Sequence, residues 1–206
     1  MPGEQIRTTV FVLAKQPSGS DSFEQLTVFS SESGVLHCLR RTARGKTVAT
    51  TSIDLFDEAE LWLESYNQGR TWFIKEHRFI QRHEGIGRSY DALRAAAALT
   101  TLISRNTVSD ESRETVVALL RTTLGALSTG GRPDITWLKA LYCFLRDEGY
   151  PVKQQWWPAL TAGDREIAAQ LLNQPLATLT TAASVVARIS AELEKWTQAE
   201  TEIRLR

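Results

Sequence analysis

The sequence predicts an α+β chain, with a small five-stranded β-barrel over residues 1–84 followed by an all-helical domain over residues 85–206. Three observations lead there. From residue 6 to about 84, β-branched and aromatic residues come in runs of four to eight, separated by turn-forming clusters. Beyond Gly85-Ile86-Gly87 the pattern changes, and alanine and leucine take over at helical spacing. Finally, five strand-like runs within about 80 residues leave few ways of hiding every sheet edge other than closing the sheet on itself.

Each element has its own local reason. Thr8 to Lys15 is the first strand, closed by Gln16-Pro17-Ser18-Gly19-Ser20, and Phe23 to Ser30 is the second. Glu32-Ser33-Gly34 is a hairpin turn into Val35–Arg41; Ile53 or Glu58 begins a fourth strand ending at Ser65; Asn67-Gln68-Gly69 turns the chain into Thr71–Gln81. The five-stranded oligonucleotide-binding barrel, the OB-fold, is one of very few closed solutions at this size. In the second half, Ser89 caps a helix that runs through Arg105. Ser109-Asp110 opens the next, in which Val116, Leu120, Leu124 and Leu127 recur on one face up to Gly130-Gly131. A third follows Asp134 with Gly149 as its stop, a short one is capped by Thr161, and a last one carries Val185, Ile189, Leu193 and Trp196. Gly85-Ile86-Gly87 reads as a linker.

Of the 206 residues 42% are hydrophobic and 23% charged, which excludes wholesale disorder. Lys and Arg number 24 and Asp and Glu 24, so no global field draws in nucleic acid, and anion binding has to come from a local patch. Two cysteines, Cys38 and Cys143, are too few for a four-thiolate zinc site and point to a reducing cytoplasm. The N-terminal segment lacks the form of a signal peptide and no run approaches a membrane span, so a soluble cytoplasmic protein is expected.

Charge collects in two places. No carboxylate lies between Glu32 and Asp54, and that window holds Arg40, Arg41, Arg44 and Lys46. Four such cations along a single strand give a salt slope of about −3, at roughly −0.7 per phosphate contact; the plainer reading is a solvated loop. A second stretch, with Arg70, Lys75, Arg78, Arg82 and Arg88, is interleaved with Trp72, Phe73 and Phe79. Cations that follow phosphates beside aromatics that stack on bases are the division of labour of single-strand binding. Strict alternation puts Trp72, Ile74 and Ile80 on one face and Phe73 and Phe79 on the other, so one set is barrel core. The acids Asp54, Asp57, Glu58, Glu60 and Glu64 lie between the two stretches and repel phosphate on any face they share.

Catalytic patterns are poor. His37 and Cys38 are adjacent, which in a strand points them to opposite faces, and no nucleophile elbow, phosphate-cradling glycine loop or metal-spaced cluster occurs. Trp156-Trp157 either lids the helical core or lines a groove for a partner peptide.

From Val10 to about Leu205 the chain resembles RecO, the bacterial recombination mediator. Val12-Leu13-Ala14-Lys15-Gln16-Pro17 with Asp21-Ser22-Phe23 is similar to that family's apolar strand, proline turn and acidic start of the second strand. Leu26 to Gly34 resembles its apolar strand ending in an acid, one spacer and glycine. Arg41-Thr42-Ala43-Arg44 falls where the family has Lys-Gly-Ala-Arg, Ile53–Phe56 where a segment ends in Pro-Phe, and Gly149-Tyr150 where a helix ends in Gly-Tyr. Thr42 and Leu55 depart from the family's glycine and proline. The four-cysteine zinc module many members carry after the Gly-Tyr pair is absent, since Pro151–Trp157 has no cysteine.

The resemblance implies a protein that is not an enzyme and needs no cofactor. It implies an OB-fold and a helical domain that bind single- and double-stranded DNA and promote strand annealing. With RecR, such proteins help load RecA onto DNA coated by the single-strand binding protein SSB, whose acidic C-terminal tail they recognise. A monomer is expected. Arg41 and Arg44 match the family's basic loop; Arg40 and Lys46 join them on charge alone, as do Arg70, Lys75 and Arg78. For the SSB tail, Lys139 stands about where members carry arginine, with Arg132 and Arg146 as further candidates. The same fold could instead serve mainly to bridge SSB and RecR, with weak DNA binding.

Overall fold

A computed structural model describes residues 3–17, 22–41 and 52–205. The chain divides into two compact units, Met1–His83 and Glu84–Arg206, the first made of strands and the second of helices.

In the first unit, β1 (Glu4–Pro17), β2 (Phe23–Ser30) and β3 (Gly34–Arg41) form an antiparallel meander. β4 (Glu58–Ser65) returns to lie beside β1, and β5 (Trp72–Gln81) fits between β4 and β3, antiparallel to one and parallel to the other. The resulting order, β1-β2-β3-β5-β4 and back to β1, is a closed barrel, and the placement of β4 next to β1 is a Greek-key return. The tight β2–β3 turn is possible because Gly34 adopts a positive φ of 68°. Val10, Val12, Leu26, Val28, Leu36, Cys38, Ile53, Ala59, Leu61, Leu63 and Trp72 fill the interior.

Two bulges in β5 change the face that its side chains present. Trp62 pairs with Glu76 but Leu63 with Ile74, so Lys75 is an extra residue; a second irregularity follows between Ala59, opposite Phe79, and Glu58, opposite Gln81. The strict alternation expected from sequence therefore breaks at Lys75. Trp72, Ile74 and Phe79 all pack on the interior, whereas Ile80 is 48% exposed and Phe73 points outward opposite Glu64.

The second unit contains α1 (Tyr90–Arg105), α2 (Arg113–Ser128), α3 (Pro133–Asp147), α4 (Trp156–Ala159), α5 (Ala162–Asn173) and α6 (Ala183–Glu200). Ser89 and Thr161 cap α1 and α5 by accepting from the Ala92 and Asp164 amides. α2 begins later than its Ser109-Asp110 signal, because Asp110–Ser112 forms a separate 3-10 turn. α3 is the hub, in contact with α1, α2, α5 and α6. Gly85-Ile86-Gly87 is packed structure rather than a linker: it lies in the 3-10 turn Glu84–Arg88, where Ile86 is buried and a Cβ on Gly85 would meet the Ser128 carbonyl oxygen at 1.8 Å. Trp156 is buried within this unit, against Tyr142 and Trp157 at 6.0 Å each, as the lid reading requires. Among the described residues no helix is long and apolar enough to cross a membrane.

Candidate nucleic-acid interface

The strand register decides which charges reach the outer face of the barrel. In β2 and β3, Leu26, Val28, Leu36 and Cys38 point inward, so Phe23, His37, Leu39 and Arg41 point outward, with Phe23 directly opposite Arg41. β3 then brings Leu39 beside Phe73 of β5. The Phe23 and Phe73 rings meet edge to face at 6.0 Å, and Phe73 is followed by Tyr66 at 6.2 Å. Three aromatic side chains from β2, β5 and the β4–β5 loop thus form a continuous line of ring contacts, with Phe73 in the middle. Phe23 and Phe73 are half-buried, and Tyr66 is 64% exposed.

The β4–β5 loop holds Tyr66 and Arg70 in place through a dense set of short-range bonds. The Ser65 hydroxyl donates to Asn67 Oδ1 at 3.0 Å and accepts from the Gly69 amide at 3.0 Å, while Asn67 Oδ1 also accepts from the Thr71 amide at 3.0 Å. Gln68 and Gly69 both adopt the left-handed conformation, φ 59° and 76°, that reverses the chain between Tyr66 and Arg70.

Several of the candidate cations are engaged by acids across the strands. Lys75 Nζ lies 2.8 Å from Glu64 Oε2, and Arg78 Nη2 lies 3.0 Å from Glu60 Oε2. Glu60 also takes Arg7 Nε at 2.8 Å, and the Arg7 guanidinium covers the half-buried Trp62 ring at 4.8 Å. Lys75, the Tyr66 hydroxyl and Gln5 hold the Glu64 carboxyl down to about 2, and Glu64 in turn raises Lys75. Arg40 ties down one end of the barrel: it pairs with Glu24 and donates to the Ser52 hydroxyl at 2.9 Å, beside Lys15, which reaches Glu24 at 3.2 Å and Asp54 at 3.5 Å. Among the described residues, Arg41 and Arg70 are exposed and make no ion pair. Arg44 and Lys46 lie outside the described residues.

The structure therefore sets Arg41 opposite Phe23, Lys75 on the carboxyl that Tyr66 also holds, and Arg70 in the loop that carries Tyr66, places Arg78 farther along the outer face, and commits Arg40 to the barrel end. Neither Phe23 nor Tyr66 is singled out as a binding residue by the sequence. Only the pairing of Phe23 with Arg41 and the position of Tyr66 in the loop before β5 reveal them.

The candidate peptide-binding cations sit on or beside α3. Lys139 Nζ donates to the Gln174 carbonyl at 2.6 Å at the end of α5, and burial lowers its pKa. Arg132 grips Asp134 with two bonds, of 3.0 and 2.6 Å, and donates to the Thr181 carbonyl at 2.9 Å. Arg146 is exposed and pairs with its neighbour Asp147 at 2.6 Å.

Little here suits nucleophilic chemistry. Cys38 is fully buried and its thiol is pushed up to about 12, which leaves it almost wholly protonated at neutral pH, while His37 faces the other way. Among the described residues no group of three or more His, Cys, Asp or Glu side chains could hold a metal ion. No protein-family model matches the chain, and no curated protein matches it either.

Proposed function

We propose that the protein is a DNA-binding recombination mediator of RecO type, whose barrel is an OB-fold acting in the cytoplasm. On this reading it is not an enzyme. It binds single- and double-stranded DNA, promotes annealing and, with RecR and the acidic tail of SSB, prepares coated DNA for RecA. The observation that carries the reading is the five-stranded Greek-key barrel with Phe23, Phe73 and Arg41 on one outer face and Tyr66 and Arg70 in the β4–β5 loop. OB-folds bind oligonucleotides through the face of strands 2 and 3 and the loop between strands 4 and 5.

Fluorescence anisotropy of a labelled single-stranded oligonucleotide at several salt concentrations tests it. The expected slope of log K against log salt is about −2 to −4, and Arg41→Ala with Arg44→Ala makes it shallower by about 1.4, two contacts at about 0.7 each. An unchanged slope in the double variant would remove those two residues from the site. No binding even at low salt would overturn the DNA reading.

A second reading, an interaction module of the same fold that bridges SSB and RecR with weak DNA affinity, draws on the pairing of Lys75 and Arg78 with Glu64 and Glu60. Tight binding to an acidic peptide combined with flat salt dependence on DNA would favour it.

A further inference from the structure

We infer that the line Phe23–Phe73–Tyr66 is a base-stacking track, and that it selects single-stranded over double-stranded nucleic acid. The inference rests on the DNA-binding reading above and adds to it which groups hold the ligand and which form of the ligand fits.

Consecutive rings along the line are 6.0 and 6.2 Å apart. The ring planes are also turned by 73° and 58° from one to the next, so bases laid on successive rings at that spacing cannot keep the parallel stack of a duplex strand, whose rise is about 3.4 Å. A single strand, whose bases are already able to splay, meets the spacing at little cost, and every base offers a π-face to an aromatic ring. The charges along the track suit a phosphate backbone without dominating it. Arg41 stands opposite Phe23, Arg70 four residues beyond Tyr66 in the same loop, and both are exposed with no ion pair among the described residues. Lys75, the extra residue of its bulge, is already paired with Glu64. The track itself therefore supplies three rings and two cations that make no ion pair among the described residues, a balance in which stacking carries more of the affinity than counterion release.

The geometry of the loop supports this assignment. Tyr66 stays 64% exposed while its hydroxyl helps lower the Glu64 carboxyl and its ring leans on Phe73, so its position is set before any ligand arrives. A large ring held in water by neighbours on one edge loses little side-chain freedom when a base covers its face.

The test compares a labelled oligothymidylate, an abasic oligonucleotide of the same length and a duplex of the same length, each titrated into the full chain, with Tyr66→Ala and Phe73→Leu as variants. The track predicts that the wild type binds oligothymidylate at least about fivefold more tightly than the abasic strand, the lower end of what one base–aromatic stack is worth. It predicts that Tyr66→Ala removes most of that ratio without altering the salt slope, and that the duplex binds more weakly than the single strand. Equal affinity for thymidylate and abasic strands would overturn the track and leave a phosphate-only DNA site standing. Absence of binding to all three would instead overturn the DNA reading, and displacement only by an acidic peptide would assign the face to a protein partner. Because the abasic comparison uses the wild type, it decides the matter even if a variant fails to fold.

Discussion

The Glu64 carboxylate accepts from donors on three segments: Gln5 of β1 at 3.4 Å, Lys75 of β5 at 2.8 Å and the hydroxyl of Tyr66 in the loop between β4 and β5. Those donors, Lys75 foremost and then Tyr66, outweigh the opposing effect of burial and bring its pKa from 4.5 down to about 2. A carboxyl whose pKa is depressed in the folded protein contributes stability above its unfolded pKa and loses it as pH falls through the folded one. Glu64→Gln should accordingly melt below the wild type at pH 6, with the gap closing as pH drops from about 4.5 to about 2. Thermal melts of both proteins across that interval check it. A gap that does not vary with pH would mean that the shape of the side chain, and not its charge, joins β1, β5 and the loop.

At the scale of elements, the sequence was readable wherever a local signal decided the structure. Ser89 and Thr161 cap the helices they precede, Gly34 makes the β2–β3 turn, and β2 runs from Phe23 to Ser30 as its apolar run indicates. What local signals could not show was which residues of β5 would be left unpaired. The extra residues at Lys75 and Ile80 are properties of the β4–β5 pairing, and with them Phe79 lies in the core and Ile80 outside it. The aromatic line was hidden for the same reason, because Phe23 and Phe73 lie 50 residues apart in sequence and meet only through the register of β3 with both neighbours. α3 was legible as a helix but not as the hub of its unit. Its Leu138 is fully buried, and Leu138→Ala should cost about 2–5 kcal/mol, read as a lower urea midpoint at an unchanged slope. A cost under about 1 kcal/mol would show that the site collapses around the cavity and that α3 is less central than its contacts with α1, α2, α5 and α6 indicate.

For the whole molecule, 24 acids balance 24 bases, and the arrangement of those charges matters more than their sum. On the outer face formed by β1, β4 and β5 the two signs alternate across the strands: Glu60 lies between Arg7 and Arg78, and Glu64 beside Lys75. The pairs of Glu60 with the exposed Arg7 and Arg78 add little stability. They do, however, lower the positive potential that a phosphate backbone would meet, so this part of the barrel is screened, whereas Arg41 and Arg70 have no acidic partner among the described residues. Removing a single acid should then convert a neutral face into a basic one. Glu60→Gln leaves Arg7 and Arg78 without their partner, and if a nucleic acid crosses this face the salt slope should steepen by about 1.4, two contacts at about 0.7 each, with tighter binding at low salt. Anisotropy titrations of wild type and variant over the same salt series measure the change. An unchanged slope would confine the strand to the segment between Phe23 and Tyr66, because two uncovered arginines elsewhere on the barrel could not escape notice by a polyanion that passed over them.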